Sequence, residues 1–154
     1  MSKGQALTAV VLTHLAISIA HGRAHDGAAV PLPLAGTLFV YIVILAGPLA
    51  GLAVSRWRPR AGASIVGASM CGALVFGLIK HFIIDGPDHV SHVAAEWRML
   101  FGVTAALLAV SEAVGVAVGI WAAGVGVGAR DGARHGARVE LRHRTDRGGQ
   151  EKPS

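Results

Sequence analysis

Hydrophobic and polar positions along this chain fall into long blocks. Ala6 to Ala20 is an apolar run interrupted by His14, and Leu32 to Val54 is apolar with its break at Gly47-Pro48. Ala61 to Ile84 is apolar until Lys80-His81, and Met99 to Ala123 is apolar apart from Thr104, Ser111 and Glu112. The last three blocks reach or exceed the ~20 residues needed to cross a hydrocarbon core of ~30 Å, and the first sits at the lower limit. Backbone amides in lipid must find partners within their own segment, so the blocks read as helices and not as single strands. The pattern predicts an all-α membrane protein. Its four transmembrane helices, at about residues 5–21, 32–54, 61–84 and 99–123, form two hairpins within a domain of residues 1–123.

Composition agrees with that class. Hydrophobic residues make up 53% of the chain and charged residues 15%, against roughly 25% charged in soluble domains; mean hydropathy is +0.54. The only cysteine, Cys71, falls inside the third block, so no intrachain disulfide can staple the loops.

The polar residues are sorted between the ends of the blocks. Arg56, Arg58 and Arg60 occupy the second connection without an acid, and the segment after Ala123 carries six arginines (Arg130, Arg134, Arg138, Arg142, Arg144 and Arg147) plus Lys152. The first connection has only Arg23, and the third has Lys80 and Arg98 across nearly twenty residues. Lysine and arginine mark the cytoplasmic side. The expected location is therefore a cell (inner or plasma) membrane, multi-pass, with the N- and C-termini in the cytoplasm and the first and third connections outside. A second reading of the N-terminus is a cleaved signal peptide: Lys3 is its positive region, Ala6 to Ala20 its apolar core, and Ser18-Ile19-Ala20 its small-x-small site.

Residues 124–154 change texture to glycine and arginine, with Gly-Ala-Arg at 128–130, 132–134 and 136–138. As a helix, Arg130, Arg134, Arg138 and Arg142 would form a basic stripe on anionic lipid, but the glycines oppose helix, and a disordered basic tail is the expectation. With no aromatic residue to stack on bases, the tail does not read as a nucleic-acid binder.

The third connection carries the densest chemistry. Gly86-Pro87 stops the third block, and Pro87 is a good first residue of a new helix with Asp85 as cap. At ~100° per residue, Val90, Val93, Ala94 and Trp97 share one side while Asp88, His89, His92 and Glu96 share the other. This predicts an amphipathic helix at residues 87–97 lying on the outer surface, anchored by Trp97 and Arg98. In the first block His14, Ser18, His21 and His25 are spaced by four, three and four, so one helix through all of them would align them; Gly22 is a point where that helix could end.

Imidazoles and carboxylates at helical spacing are the donors that Zn²⁺, Cu²⁺, Ni²⁺ or Fe²⁺ take. The local candidate is His89, His92 and Glu96, joined by Asp88, with His81, His21 or His25 completing the set. No diagnostic spacing such as HExxH is present, the pattern names no catalytic residue, and clustered imidazoles also serve as proton sensors. Deeper, His14 lies about 9 Å and Glu112 about 20 Å below the outer boundary by helical rise; an intramembrane carboxylate is a functional candidate as ion ligand or proton relay. Small residues repeat four apart at Gly47/Gly51, Ser64/Ala68/Gly72 and Gly115/Gly119, where helices can approach closely. Met70 and Cys71 sketch a soft-metal route for Cu(I), with apolar packing as the plainer account.

Three functions fit these residues. One is binding or translocation of a transition-metal ion at the extracytoplasmic face, with His14 and Glu112 on the inward path and a homo-oligomer or larger membrane complex completing a conduit. Another is a non-catalytic accessory or assembly subunit of a membrane complex. The third is a haem protein with His14 and His81 as axial ligands.

Overall fold

The structure is a computed structural model and describes residues 1–124. The expected basic tail and its arginine stripe lie beyond Gly124, outside the described residues. Among the described residues every regular element is helical. Four helices, α1 (Lys3–Gly27), α2 (Leu34–Ser55), α3 (Pro59–Ile83) and α4 (Ala95–Ala123), are long and apolar enough to cross a membrane.

Helix α1 starts at a reciprocal cap: the Ser2 hydroxyl accepts from the Gln5 amide and the Gln5 side chain accepts from the Ser2 amide. The sequence places its end near residue 21, yet it runs on to Gly27. One interior glycine costs a helix only about 1 kcal/mol relative to alanine. The extra turns offset that cost by burying Ala24 against Val93 and Phe101. The helix stops where Ala29 adopts a left-handed backbone at φ 52°, with the Val30 amide donating back to the His25 carbonyl.

Helix α2 follows Pro33, whose extended backbone cannot be helical, and it widens into a π-turn at Val40–Ala46 just before Gly47-Pro48. Pro48 has no N–H for the Ile44 carbonyl four residues back. The Gly47 amide instead reaches five residues back to Ile42. Helix α3 likewise ends in a π-turn, Ile79–Ile83, where the Ile84 amide closes onto the Ile79 carbonyl at 2.8 Å.

Helix α4 packs on both α1 and α3, and α2 packs on α3. Helices α3 and α4 approach closely at Gly67 and Gly119: a Cβ on Gly119 would stand 2.6 Å from the Gly67 Cα and 3.0 Å from the Ala63 carbonyl oxygen. The Gly115/Gly119 pair therefore faces α3, but its partner row is Ala63 and Gly67. The Ser64/Ala68/Gly72 row expected from sequence is turned by one residue, leaving Ser64 and Ala68 exposed. Gly47 and Gly51 approach α3 at Ser69, Val66 and Gly62. Two apolar clusters result. One joins Leu7, Val10 and Val11 to Ala63, Val66, Met70, Ala122 and Ala123, and the other is Ala24, Val93 and Phe101.

The amphipathic helix expected at residues 87–97 does not form. Residues 84–94 are turns and bends, and α4 begins only at Ala95. Local bonds capture the backbone: the His89 amide donates to the Gly86 carbonyl, the His92 amide to the His89 carbonyl, and the Ser91 amide to His89 Nδ1. Such side-chain and turn bonds compete with helix, and the Val90 amide is drawn off to the His81 carbonyl at 3.1 Å. The apolar side of the pattern is nevertheless used. Val93 is fully buried, and Val90 and Trp97 pack on the Ala24/Phe101 cluster, with the Trp97 ring lying against Gly27 where a Cβ would collide.

Candidate metal centre

The extension of α1 carries His21 and His25 to the end of the bundle, one turn apart on one face. The π-turn at the end of α3 turns His81 toward them. One ring nitrogen from each of these three residues lies within 4.8 Å of the other two, in a buried setting.

The proton positions on the rings are assigned from their partners. Thr104 donates its single hydroxyl hydrogen to the Leu100 carbonyl at 2.7 Å, so its oxygen accepts from His21 Nδ1 at 2.8 Å. His81 Nδ1 donates to the Asp88 carbonyl oxygen at 3.0 Å. Both rings therefore carry their hydrogen on Nδ1 and turn bare Nε2 atoms toward each other, 3.2 Å apart. Two lone pairs at that distance repel, and a cation between them removes the conflict. A tetrahedral Zn²⁺ bound at ~2.0–2.1 Å holds its nitrogens roughly 3.3 Å apart, close to the observed separation. An outer partner fixing each Nδ1–H is the arrangement that orients histidine ligands in metal sites.

His25 completes the group, with Nδ1 facing the Val30 carbonyl at 3.5 Å and Asp88 Oδ1 at 3.6 Å. Asp88 is buried, and its Oδ1 has no hydrogen-bond partner. A buried carboxylate oxygen without a donor is costly, and beside three imidazoles it is suited to a cation. Phe101 walls the site, its ring centroid 4.8 Å from those of His21 and His25 and 5.2 Å from that of His81. This apolar wall keeps the local dielectric low and strengthens attraction for a cation.

No family model, curated protein or solved structure matches this chain.

The remaining candidates from the sequence lie apart from this group. His89 and His92 sit in the turns of residues 84–94 with ring centroids 5.9 Å apart. His89 Nδ1 is engaged by the Ser91 hydroxyl at 2.6 Å, and His92 Nε2 meets Asp85 Oδ1 at 3.1 Å on the surface. Glu96 is exposed in the first turn of α4 and makes no ion pair or side-chain hydrogen bond among the described residues. The turns thus bring Asp88 to His25 and His81, and leave His89, His92 and Glu96 at the surface.

Farther along α1, His14 Nδ1 stands 3.8 Å from Glu112 Oε1, both side chains almost fully buried. Sequence spacing puts these two at depths of about 9 and 20 Å. They meet because α1 continues past residue 21, which carries His14 deeper relative to the end of its helix. A cavity of about 350 Å³ is lined by His21, His25 and His81 and also by Glu112, with apolar walls from Ile19, Ile44 and Phe76 among others.

Thr104 and Phe101 are the site residues that sequence reasoning missed. Thr104 stands out in the chain as a polar residue in an apolar block, but its pairing with His21 spans 83 positions, and no local spacing encodes that.

Proposed function

We propose that this chain is a small polytopic integral membrane protein that binds a divalent transition-metal ion through His21, His25 and His81, with Asp88 as the adjoining carboxylate. The observation that carries this reading is the 3.2 Å separation of the His21 and His81 Nε2 atoms while the Nδ1 atoms of both rings are engaged by Thr104 and the Asp88 carbonyl. Imidazole donors suit Zn²⁺, Cu²⁺, Ni²⁺ and Fe²⁺. The four apolar helices cross the bilayer as two hairpins with both termini and the arginine-rich connection in the cytoplasm, so the site lies near the extracytoplasmic end. There the ion is taken up for delivery or translocation, and the cavity toward Glu112 supplies the inward direction. The exposed Asp85, His92 and Glu96 and the half-buried His89, in the turns and the first turn of α4, form an acidic and imidazole-rich mouth.

The alternative of an accessory subunit rests on the same hydrogen bonds acting only as structure. The haem reading loses its axial pair, since His14 engages Ile44 and Glu112 whereas His81 engages His21 and Asp88. Metal titration of purified, metal-stripped protein in detergent separates the two remaining functions. A stoichiometric site for Zn²⁺, Cu²⁺ or Ni²⁺ that is lost in His21→Ala and His81→Ala supports the metal reading. Wild-type protein that takes up none of these ions overturns it and leaves the accessory role.

A further inference from the structure

Beside the cavity, which Glu112 helps to line, His14 and Glu112 form a second polar pair with a different logic. His14 Nε2 faces the Ile44 carbonyl oxygen at 3.2 Å. A carbonyl can only accept, so Nε2 carries the hydrogen and Nδ1 is a bare lone pair. The Ile44 carbonyl is the one that Pro48, lacking an N–H, cannot take. His14 Nδ1 is buried without a hydrogen-bond partner and points toward Glu112 Oε1 at 3.8 Å. No lysine or arginine pairs with Glu112 among the described residues.

An ionised Glu112 opposite a neutral His14 would set two acceptors against each other in an apolar interior, and both would go unsatisfied. A proton on the carboxyl gives O–H facing N, and a proton on the ring gives N–H facing O. Either state turns the pair into a donor and an acceptor with zero net charge. Two protons would leave an imidazolium buried without a counter-ion. The pair is complete with one proton.

Resting on the metal reading above, we propose that His14 and Glu112 hold one exchangeable proton and release it when a divalent cation moves inward from the histidine cluster. In that step the bond holding the shared proton breaks, Glu112 O–H or His14 Nδ1–H, its electron pair stays on the oxygen or nitrogen, the carboxylate serves as a donor to the cation, and the proton passes to water. His14 and His21 are about 10 Å apart along α1 by helical rise, so the two stations are separate, yet one cavity is lined by both the cluster and Glu112. The other titratable groups around that cavity are His21, His25 and Asp26 from α1, Tyr41 from α2 and His81 from α3. Ser18 Oγ, 3.4 Å from His14 Nε2, adds a polar neighbour from α1 itself.

The test uses full-length protein in lipid nanodiscs. Infrared spectroscopy reads the Glu112 carboxyl, assigned by its loss in Glu112→Gln, and ¹⁵N NMR reads His14, assigned by its loss in His14→Gln. The expected metal-free result is one proton on the pair, seen as a protonated carboxyl with a neutral ring or a carboxylate with an imidazolium. A carboxylate beside a neutral ring, or a protonated carboxyl beside an imidazolium, overturns the proposal. Proton release on adding Zn²⁺ is then counted in weak buffer. Wild type is expected to release one more proton per zinc than Glu112→Gln, and equal release with zinc bound to both refutes the coupling. If neither protein binds zinc, the metal reading and the coupling fall together, while the metal-free spectra still decide whether the pair holds its proton. Those spectra need the variants only for assignment, so selective isotope labelling of wild type serves if a variant misfolds.

Discussion

Thr104→Val is expected to weaken metal binding 10- to 100-fold without unfolding the protein. Valine nearly matches threonine in volume and removes only the hydroxyl. That hydroxyl oxygen accepts from His21 Nδ1 at 2.8 Å, with both residues buried. Without it, two outcomes are open to the His21 ring. It can keep its Nδ1 hydrogen buried and unpaired, at a cost of about 1–3 kcal/mol. Alternatively it can move the hydrogen to Nε2, which then donates to His81 Nε2 at 3.2 Å and occupies the lone pairs that a metal needs. The metal-bound ring must keep the first state while the metal-free ring relaxes into the second, so binding is penalised by about 1.4–2.7 kcal/mol, since each 1.4 kcal/mol is tenfold in affinity, and loss of an outer partner of a metal-bound histidine typically has that size. The assay is competition for Zn²⁺ against a chromogenic chelator, with far-UV circular dichroism to confirm helix content. Thr104→Val binding as tightly as wild type while His21→Ala binds nothing would refute the orienting role of the hydroxyl. Unchanged binding in both variants would remove the site altogether.

Asp88→Asn should lower metal affinity while raising the thermal stability of metal-free protein, because it removes a buried carboxylate oxygen that lacks a partner; paired thermal melts with and without Zn²⁺ read both signs. Ala29→Gly should stabilise the protein by about 1 kcal/mol in chemical denaturation, since Ala29 holds a left-handed backbone at φ 52° that costs an L-residue ~1–2 kcal/mol. Gly119→Ala should destabilise it by about 1–3 kcal/mol, because the new Cβ would meet Gly67 and the Ala63 carbonyl; unfolding in a graded detergent series measures the loss. His92→Ala and Glu96→Ala should leave equilibrium Zn²⁺ affinity within about twofold of wild type, as exposed groups contribute little, and a tenfold loss in the chelator assay would move the site from the buried cluster to the surface turns.

Much of the fold is legible in the order of the residues. Four apolar blocks are long enough to become helices because backbone groups without water must pair locally, and the structure has four helices in those places. Gly47-Pro48 announces a break in α2, and the π-turn before it follows from the missing proline N–H. His14, Ser18, His21 and His25 share one helix face by spacing alone, and Gly115/Gly119 marks a close helix contact. Residues 87–97 show the limit of periodicity: the apolar side of that pattern is real, but Ser91 and His89 offer the backbone bonds that compete with helix, and burial of Val93 is satisfied by a turn as well as by a helix.

Tertiary structure alone decided which polar groups meet. Whether α1 ends at Gly22 or continues to Gly27 depends on Ala24 packing against Phe101 and Val93 from distant parts of the chain, and that extension sets the depth of His14 as well as the position of His25. The sequence by itself determined the supply of imidazoles at the ends of the apolar blocks. The bundle chose His21, His25, His81 and Asp88 from that supply, because contacts across 60 and more positions, such as His21 with His81 and His21 with Thr104, arise from helix packing that no local spacing specifies.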